Sequence, residues 1–292
     1  MEWTRLLVSG ANASVVVFVV SSTLAVGLRL TVGQILTPLR NGRLVAASLL
    51  ASFVLSPLLA IALASVLGLD EPLRVGLLLC GVAAGAPFVL KLAELARGHI
   101  PFSVGLVVVL MVVTVGYVPF VLPMLLAGVR VDSGAIARSL ILLMLIPLAF
   151  GLGVRARYGG IAARLAPVVS AVSSISMICV VALTTAGHFQ SVLGVLGTYA
   201  ILAAVVFTGV CVGFGWVLGG PSVDTRTVLA LGTAQRNTAA ALVVASQNFR
   251  DPNVIVMITV VMIIAFAMLV PLSWFFARPK ARTIGVRATA GR

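Results

Sequence analysis

Charged residues are scarce in this sequence, and acidic residues are the scarcest of them. Of the 292 residues only 9% are charged, with 7 aspartates and glutamates against 20 lysines and arginines, while 61% are hydrophobic. A soluble globular domain carries about 25% charged residues, so the composition predicts a protein that crosses the lipid bilayer several times. The basic excess lies mainly in short loops and at the C-terminal end, which is typical of membrane topology and does not indicate nucleic-acid binding.

Residues that bind metals or catalyse reactions are also few. Cys80, Cys179 and Cys211 are widely spaced within apolar runs, and His99 and His188 have no His, Cys or carboxylate cluster around them. This pattern indicates neither a disulfide framework nor a metal site, and we expect no cofactor. The sequence has no phosphate-binding loop, no HExxH and no nucleophile elbow, so we do not expect an enzyme. A channel filter pattern is also missing.

Long apolar runs are abundant. A membrane-spanning helix needs about 20 mainly apolar residues. Nine segments meet this requirement, at residues 10–30, 44–68, 73–96, 100–127, 135–154, 165–187, 193–219, 226–249 and 253–277. The sequence therefore predicts an all-α polytopic membrane protein with short loops. The first run lacks a basic n-region and a clear cleavage site, so we expect a retained helix and not a signal peptide.

Loop charge predicts the orientation. Most arginines and lysines outside the nine segments fall on the side that also holds the C-terminal residues 278–292. Because positively charged loops stay in the cytoplasm, we expect the N-terminus outside, the C-terminus inside, and residues 278–292 as a basic cytoplasmic tail. The chain would lie in the cell (inner) membrane.

Two of the predicted helices are interrupted, one in each half of the chain. Gly85, Ala86 and Pro87 interrupt the third segment, and the stretch GTAQRN, residues 232–237, interrupts the eighth. Such pairs are the best sequence indication of a transporter's binding site. Residues 135–277 would form a five-helix repeat, and residues 10–127 the same repeat without its first helix. The two repeats would be inverted in the membrane, with their discontinuous helices crossing at the midplane.

Backbone groups at a helix break in a membrane need polar partners, and half-helix N-termini favour anions. Lys91 and Arg236 are cations within the apolar runs, where charge is costly and usually functional. Arg236 could bond backbone carbonyls at the break, contact a substrate anion, or replace an ion; Lys91 could instead pair with Glu94. The candidate substrate-binding residues are Arg236, Asn237, Gln235, Thr233, Lys91, Pro87, Phe88 and Ser103.

Other polar residues within the segments favour structural roles. We expect hydroxyl groups to bond their own helix or a neighbour, and serine-rich faces to indicate close helix packing. The residues concerned are Ser52, Ser103 and Thr114 in the first group and Ser173, Ser174 and Ser176 in the second.

Four stretches carry a family resemblance. In order they read GLRLTVGQILTPLRNGRLV, FVLSPLLA, GVAAGAPFVLKLAELARGHIPFSVGLVVVLMVVTVGYVP and GTAQRNTAAALVVASQNF. From about Leu24 to Arg278 the chain resembles the bile acid:sodium symporter family, as a bacterial member similar to the shorter, nine-span forms. The resemblance implies a panel domain and a core domain, two broken helices crossing at the substrate site, and an organic anion as substrate.

The sequence departs from the family at positions that, by the resemblance, hold sodium. Val89 and Leu90 stand where sodium-coupled members have a Ser-Asn pair, Val107 replaces a Thr, and Gly232 replaces a Glu. Ser103 matches the family's Ser. A carboxylate and several oxygen ligands are thereby lost.

The same predicted ion site also gains a positive charge. Arg236 replaces the Gln of a Gln-Asn pair, Asn237 is retained, and Ser52 ahead of Pro57 corresponds to a Gln. A guanidinium at this depth would repel sodium. The hypothesis is that fixed cations, Arg236 alone or together with Lys91, replace the bound sodium ions.

The leading interpretation is a secondary transporter for a small organic anion that works by alternating access. Transport would be facilitative, an exchange, or coupled to protons. The alternative is a conventional sodium-coupled symporter with a relocated ion site, and a second alternative is a non-transporting membrane sensor on the same fold. Arsenite efflux would favour a cysteine at the crossing, and neither break contains one. The sequence leaves the oligomeric state open.

Overall fold

Helices account for all the regular secondary structure in residues 2–36, 40–126, 132–187, 194 and 198–277, which are the residues that the computed structural model describes. The helices are α1 (Glu2–Arg29), α2 (Val32–Leu36), α3 (Gly42–Val66), α4 (Glu71–Val82), α5 (Val89–Leu95), α6 (Ile100–Leu125), α7 (Ser133–Arg157), α8 (Gly159–Gly187), α9 (Ala200–Leu218), α10 (Val223–Ala234), α11 (Thr238–Asn248) and α12 (Pro252–Ala277). His188 and the predicted tail at 278–292 lie outside the described residues.

Seven of these helices are long and apolar enough to cross a membrane: α1, α3, α6, α7, α8, α9 and α12. The chain is therefore a multi-pass membrane protein. The two other apolar runs are each divided by non-helical residues, at 83–88 between α4 and α5 and at 235–237 between α10 and α11. We call these pairs the first and the second broken helix. Nine crossings, with each broken helix counted as one, stay a prediction.

The second break is narrower than the sequence predicts. Helix α10 continues through Ala234, so the prediction that the break begins at Gly232 is wrong. Gly232 serves close packing instead, since a Cβ there would lie 2.7 Å from Leu106 Cδ2. Helix α11 begins at Thr238, and the residue that caps its N-terminus is Asn237, whose Oδ1 accepts a hydrogen bond from the N–H of Ala240 at 3.1 Å.

Helices α7 and α8 also extend beyond the predicted bounds. Helix α8 begins at Gly159, ahead of the predicted residue 165, and only Tyr158 separates it from α7. The glycines of this connection were predicted to be a loop, but glycine is well tolerated where a helix starts. Helix α9 begins at Ala200, whereas residues 193 and 195–197 of the predicted segment lie outside the described residues.

The long helices pack in two groups. Helix α1 packs against both α7 and α8, and it meets α7 at two glycines: a Cβ on Gly27 would lie 2.4 Å from the carbonyl oxygen of Leu148. We call α1, α7 and α8 the three-helix layer. The crossing bundle consists of α3–α6 and α9–α12, in which both halves of the first broken helix contact α12 and α10 contacts α6.

A π-helical turn at Ala51–Leu55 interrupts the hydrogen-bond ladder of α3 just before Pro57. The N–H of Ser56 bonds the carbonyl of Ala51, and Pro57 has no N–H to offer. The carbonyls of Ser52 and Phe53 are therefore left without helical donors. Tyr117 Oη donates to the Phe53 carbonyl at 2.5 Å, and the Ser52 carbonyl is available to another part of the fold. An equivalent turn at Ile141–Leu145 precedes Pro147 in α7.

Candidate functional site

A cavity of about 380 Å³ lies between the three-helix layer and the two breaks. Helices α1 and α8 form one wall, and the breaks with Phe266 of α12 form the other. The lining residues are Phe18, Ser22, Ala25, Val26, Arg29, Ala86, Pro87, Phe88, Leu90, Lys91, Ser170, Ser173, Ser174, Met177, Gln235, Arg236, Asn237, Thr238, Ala239 and Phe266. Its volume is within the range of small-molecule sites.

The first break passes directly against the backbone of α6. Gly85 has a φ of +79°, and a Cβ there would lie 2.3 Å from the backbone nitrogen of Met111, so only glycine fits this position. Thr114 Oγ1, also on α6, donates to the Ala84 carbonyl at 3.0 Å and accepts from the Ala84 N–H at 2.9 Å. The hydroxyl of Thr114 thus satisfies both backbone polar groups of Ala84 at the break.

Asn237 joins the second break to the first. Its backbone N–H donates to the Ala83 carbonyl at 3.0 Å, and its Nδ2 donates to the Gly85 carbonyl at 3.2 Å. Because its Oδ1 also caps α11, one buried side chain fixes the position of both breaks. Asn237 thus supplies the polar partners that backbone groups at a helix break in a membrane need.

Arg236 is 1% exposed and has an acceptor for each of its five N–H groups. Nε donates to the carbonyl of Cys80 at 2.8 Å, Nη1 to the carbonyl of Thr233 at 3.1 Å and to Ser56 Oγ at 3.5 Å, and Nη2 to the carbonyls of Gly81 at 2.5 Å and Ser52 at 3.1 Å. Four of the five acceptors are backbone carbonyls.

These carbonyls can accept hydrogen bonds from Arg236 because the helices that contain them leave them without a donor. Cys80 and Gly81 lie in the last turn of α4 and Thr233 in the last turn of α10. The last four carbonyls of a helix lack intrahelical donors and carry partial negative charge. Ser52 belongs to the π-helical turn before Pro57. Arg236 therefore neutralises two helix C-termini and one freed carbonyl at the point where the broken helices meet.

This geometry bears on the three roles predicted for Arg236. Bonding to backbone carbonyls is present, and every guanidinium N–H takes part in it. Although Arg236 lines the cavity, this conformation leaves it no N–H for a substrate. The role as a replacement for an ion stays a hypothesis that the geometry permits.

Apolar side chains lie against Gly232, one of the positions that the family resemblance assigns to sodium binding. A Cβ on Gly232 would lie 2.7 Å from Leu106 Cδ2 and 3.6 Å from Val89 Cγ1. Val107 is also buried, and Ser103 Oγ donates to the carbonyl of Ile100 in its own helix at 2.8 Å. Gly232 and Val89, two of the positions that the family resemblance assigns to sodium, thus lie close together with apolar side chains around them.

Three buried oxygens close to the breaks have no hydrogen-bond partner among the described residues: Ser52 Oγ, Thr233 Oγ1 and Gln235 Oε1. Gln235 lines the cavity, whereas Thr233 and Ser103 do not. That Gln235, Thr233 and Ser103 bind the substrate stays a prediction.

Lys91 lies at an exposed part of the cavity. Its Nζ is 3.4 Å from Glu94 Oε2, and the two side chains are 59% and 52% exposed. The predicted intrahelical pair is thus present, although such exposed pairs contribute only about 0–1 kcal/mol. Pro87 and Phe88 also line the cavity, and Phe88 packs edge-on against Phe266 with ring centroids 4.6 Å apart.

Sequence reasoning missed the wall that the three-helix layer provides. Ser173 and Ser174 were assigned to helix packing, but they line the cavity together with Ser170 and Met177. The spacing i, i+3, i+4, i+7 of these four residues indicates one face of a helix. That polar stripe on an otherwise apolar helix could have identified the wall.

Comparisons with known proteins agree with this architecture. A family model described as the Sodium Bile acid symporter family matches residues 14–195, a range that contains the first broken helix, all of α8 and the part of α1 that lines the cavity. A protein from Arabidopsis thaliana named "Probable sodium/metabolite cotransporter BASS3, chloroplastic" is 22% identical over 230 residues, which are 77% of this chain and 53% of that protein. The chain spans about half the length of this curated relative.

Proposed function

Because the chain belongs to the Sodium Bile acid symporter family, we propose that it is a secondary transporter that carries a small organic anion across the cell (inner) membrane. Seven long helices and two broken helices would supply nine crossings, arranged as inverted repeats at 10–127 and 135–277. The N-terminus would lie outside and the C-terminus in the cytoplasm. The packing of the broken helices against each other and against α6 and α12 supports this arrangement.

The position of the cavity supports alternating access. It lies between the three-helix layer and the crossing bundle, which would correspond to the panel and core domains of the family. Movement of one group against the other would expose the cavity to one side of the membrane and then to the other, with the breaks forming the part of the wall that holds the anion.

Transport would not need sodium, and the hydrogen bonding of Arg236 is the single observation that carries this proposal. Carbonyls from half-helix C-termini are the groups that coordinate sodium in transporters with broken helices. Here they bind a guanidinium, which stays protonated in proteins and is covalently attached. The charge is therefore permanently present and requires no ion gradient.

Electrostatic repulsion between Arg236 and a sodium ion also supports transport that does not need sodium. Two unit charges about 4 Å apart interact by about 4 kcal/mol at an effective dielectric constant of about 20, which corresponds to a weakening of sodium binding of about a thousandfold. The side chains closest to a Cβ on Gly232, those of Leu106 and Val89, are apolar and provide no oxygen that would offset this repulsion.

A conventional sodium symporter is the second candidate. The unpartnered oxygens of Ser52, Thr233 and Gln235 favour it, since oxygen atoms are the ligands of hard cations, and the plant relative is named a probable sodium/metabolite cotransporter. This candidate requires that anion binding depends on sodium.

Thermal unfolding of the purified protein distinguishes the two candidates. The apparent melting temperature would be measured in sodium, potassium and choline chloride with a panel of carboxylates ranging in size from acetate to cholate, because a ligand that binds only the folded state raises it. We expect at least one acid to stabilise the protein equally in all three salts. Stabilisation that needs sodium would support the second candidate, and no stabilisation by any acid would contradict organic-anion transport.

A further inference from the structure

The substrate anion needs a counter-charge in the cavity, and Arg236 has no N–H left to provide it. Two other cations line the same cavity, Arg29 and Lys91. We propose that Arg29 and Lys91 together bind the negatively charged group of the substrate and thereby link the two helix groups. This inference rests on the proposed function and assigns the anion-binding residues within it.

Arg29 is well placed for this role. It is the last residue of α1, is exposed, and lines the cavity from the three-helix layer. Among the residues that the structure describes, no carboxylate forms an ion pair with Arg29. A guanidinium presents a planar pair of N–H groups that matches a carboxylate, which a single ammonium cannot do.

Lys91 reaches the cavity from the other side, on α5 of the crossing bundle. Its partner Glu94 is half-exposed and 3.4 Å away, and such a pair is weak because water screens it. A substrate carboxylate that is held by Arg29 at the same time can therefore displace Glu94. Glu94 acts as a competitor for the ammonium group when the cavity is empty.

The remaining lining orients the body of the substrate. Ser170, Ser173 and Ser174 offer hydroxyl groups on the α8 side, whereas Phe88 and Phe266 form an apolar surface on the other. An anion held by the two cations would place its uncharged part between these surfaces. The substrate would thus be a carboxylate with both polar and apolar faces.

The preference for an acid over its neutral primary amide tests this assignment. Each acid of the carboxylate panel that binds wild-type protein would be titrated against its amide in potassium chloride, using wild type, Arg29→Gln, Arg29→Lys, Lys91→Gln and Glu94→Gln. Arg43→Gln is the matched control, because Arg43 is exposed and lies outside the cavity lining.

We expect Arg29→Gln and Lys91→Gln each to reduce the acid-over-amide preference about tenfold or more, as for the loss of a charged hydrogen bond. Glu94→Gln should strengthen acid binding, Arg29→Lys should retain part of the preference, and Arg43→Gln should change nothing. If acids bind wild type but the Arg29 and Lys91 variants retain the full preference, this assignment is wrong while the proposed function stands. If no acid binds wild type without sodium, the proposed function itself fails.

Discussion

Replacing Arg236 by glutamine should make the stability of the protein depend on sodium. The substitution restores the residue type that the family resemblance places at this position and removes the charge that occupies the carbonyls of Cys80, Gly81 and Ser52. Those carbonyls would then face each other at the crossing with no cation between them. A sodium ion is small enough and hard enough to take that place.

The magnitude follows from the hydrogen bonds. A glutamine amide has two N–H donors, so at least three of the five acceptors of Arg236 lose their donor. Removing one partner from a buried charged network costs about 3–5 kcal/mol, and we expect a loss of that size in choline chloride. Sodium at about 100 times its dissociation constant would restore about 2.7 kcal/mol.

The assay is thermal unfolding of Arg236→Gln in sodium, potassium and choline chloride, with Arg74→Gln as the control for the loss of an exposed arginine on α4. Arg236→Lys retains the charge with three donors, so it should be less destabilised and should show no sodium effect. If Arg236→Gln fails to fold, Arg236→Lys still decides the question. A wild-type protein that sodium stabilises, or an Arg236→Gln protein that is as stable as wild type in every salt, would refute the reasoning.

Three further substitutions test the break and the cavity. Thr114→Val should lower the free energy of unfolding by about 1–3 kcal/mol, because the backbone N–H and carbonyl of Ala84 both lose their partner. Unchanged thermal stability would show that this hydroxyl does not hold the break. Gly85→Ala should lower the free energy of unfolding by more than about 2 kcal/mol, since the φ of Gly85 is +79° and a Cβ there would meet the backbone of α6. Gly116→Ala is the control: Gly116 lies on α6, a Cβ there meets nothing within 4 Å, and the substitution should be tolerated. Ser173→Leu should abolish carboxylate binding at an almost unchanged melting temperature, because it fills the cavity from α8; full binding would exclude this cavity as the site.

The sequence predicted the features that depend on the bilayer and on local chain stiffness. Apolar runs of sufficient length correspond to the seven long helices, because lipid leaves the backbone no other way to satisfy its polar groups. The first break was predicted from Gly85 and Pro87 because these residues disfavour a helix wherever they stand. The pairing of Lys91 with Glu94 was foreseen for a similar reason, since both lie on one helical face.

Features that depend on distant contacts could not be predicted in this way. Gly232 was assigned to the break, but it lies within α10, where a Cβ would meet the side chain of Leu106. The acceptors of Arg236 include carbonyls more than 150 residues away along the chain, and any residue type can supply a carbonyl. Arg29 was missed because only the fold brings the end of α1 to the same cavity as the breaks.

Anion flux into proteoliposomes tests the central claim most directly. Vesicles containing the protein and potassium chloride would be placed in sodium chloride or in potassium chloride of equal concentration and pH, and uptake of the carboxylate that stabilises the protein most would be measured. A carrier whose fixed Arg236 charge replaces sodium predicts equal initial rates in the two salts. Uptake that occurs only with an inward sodium gradient would contradict the account.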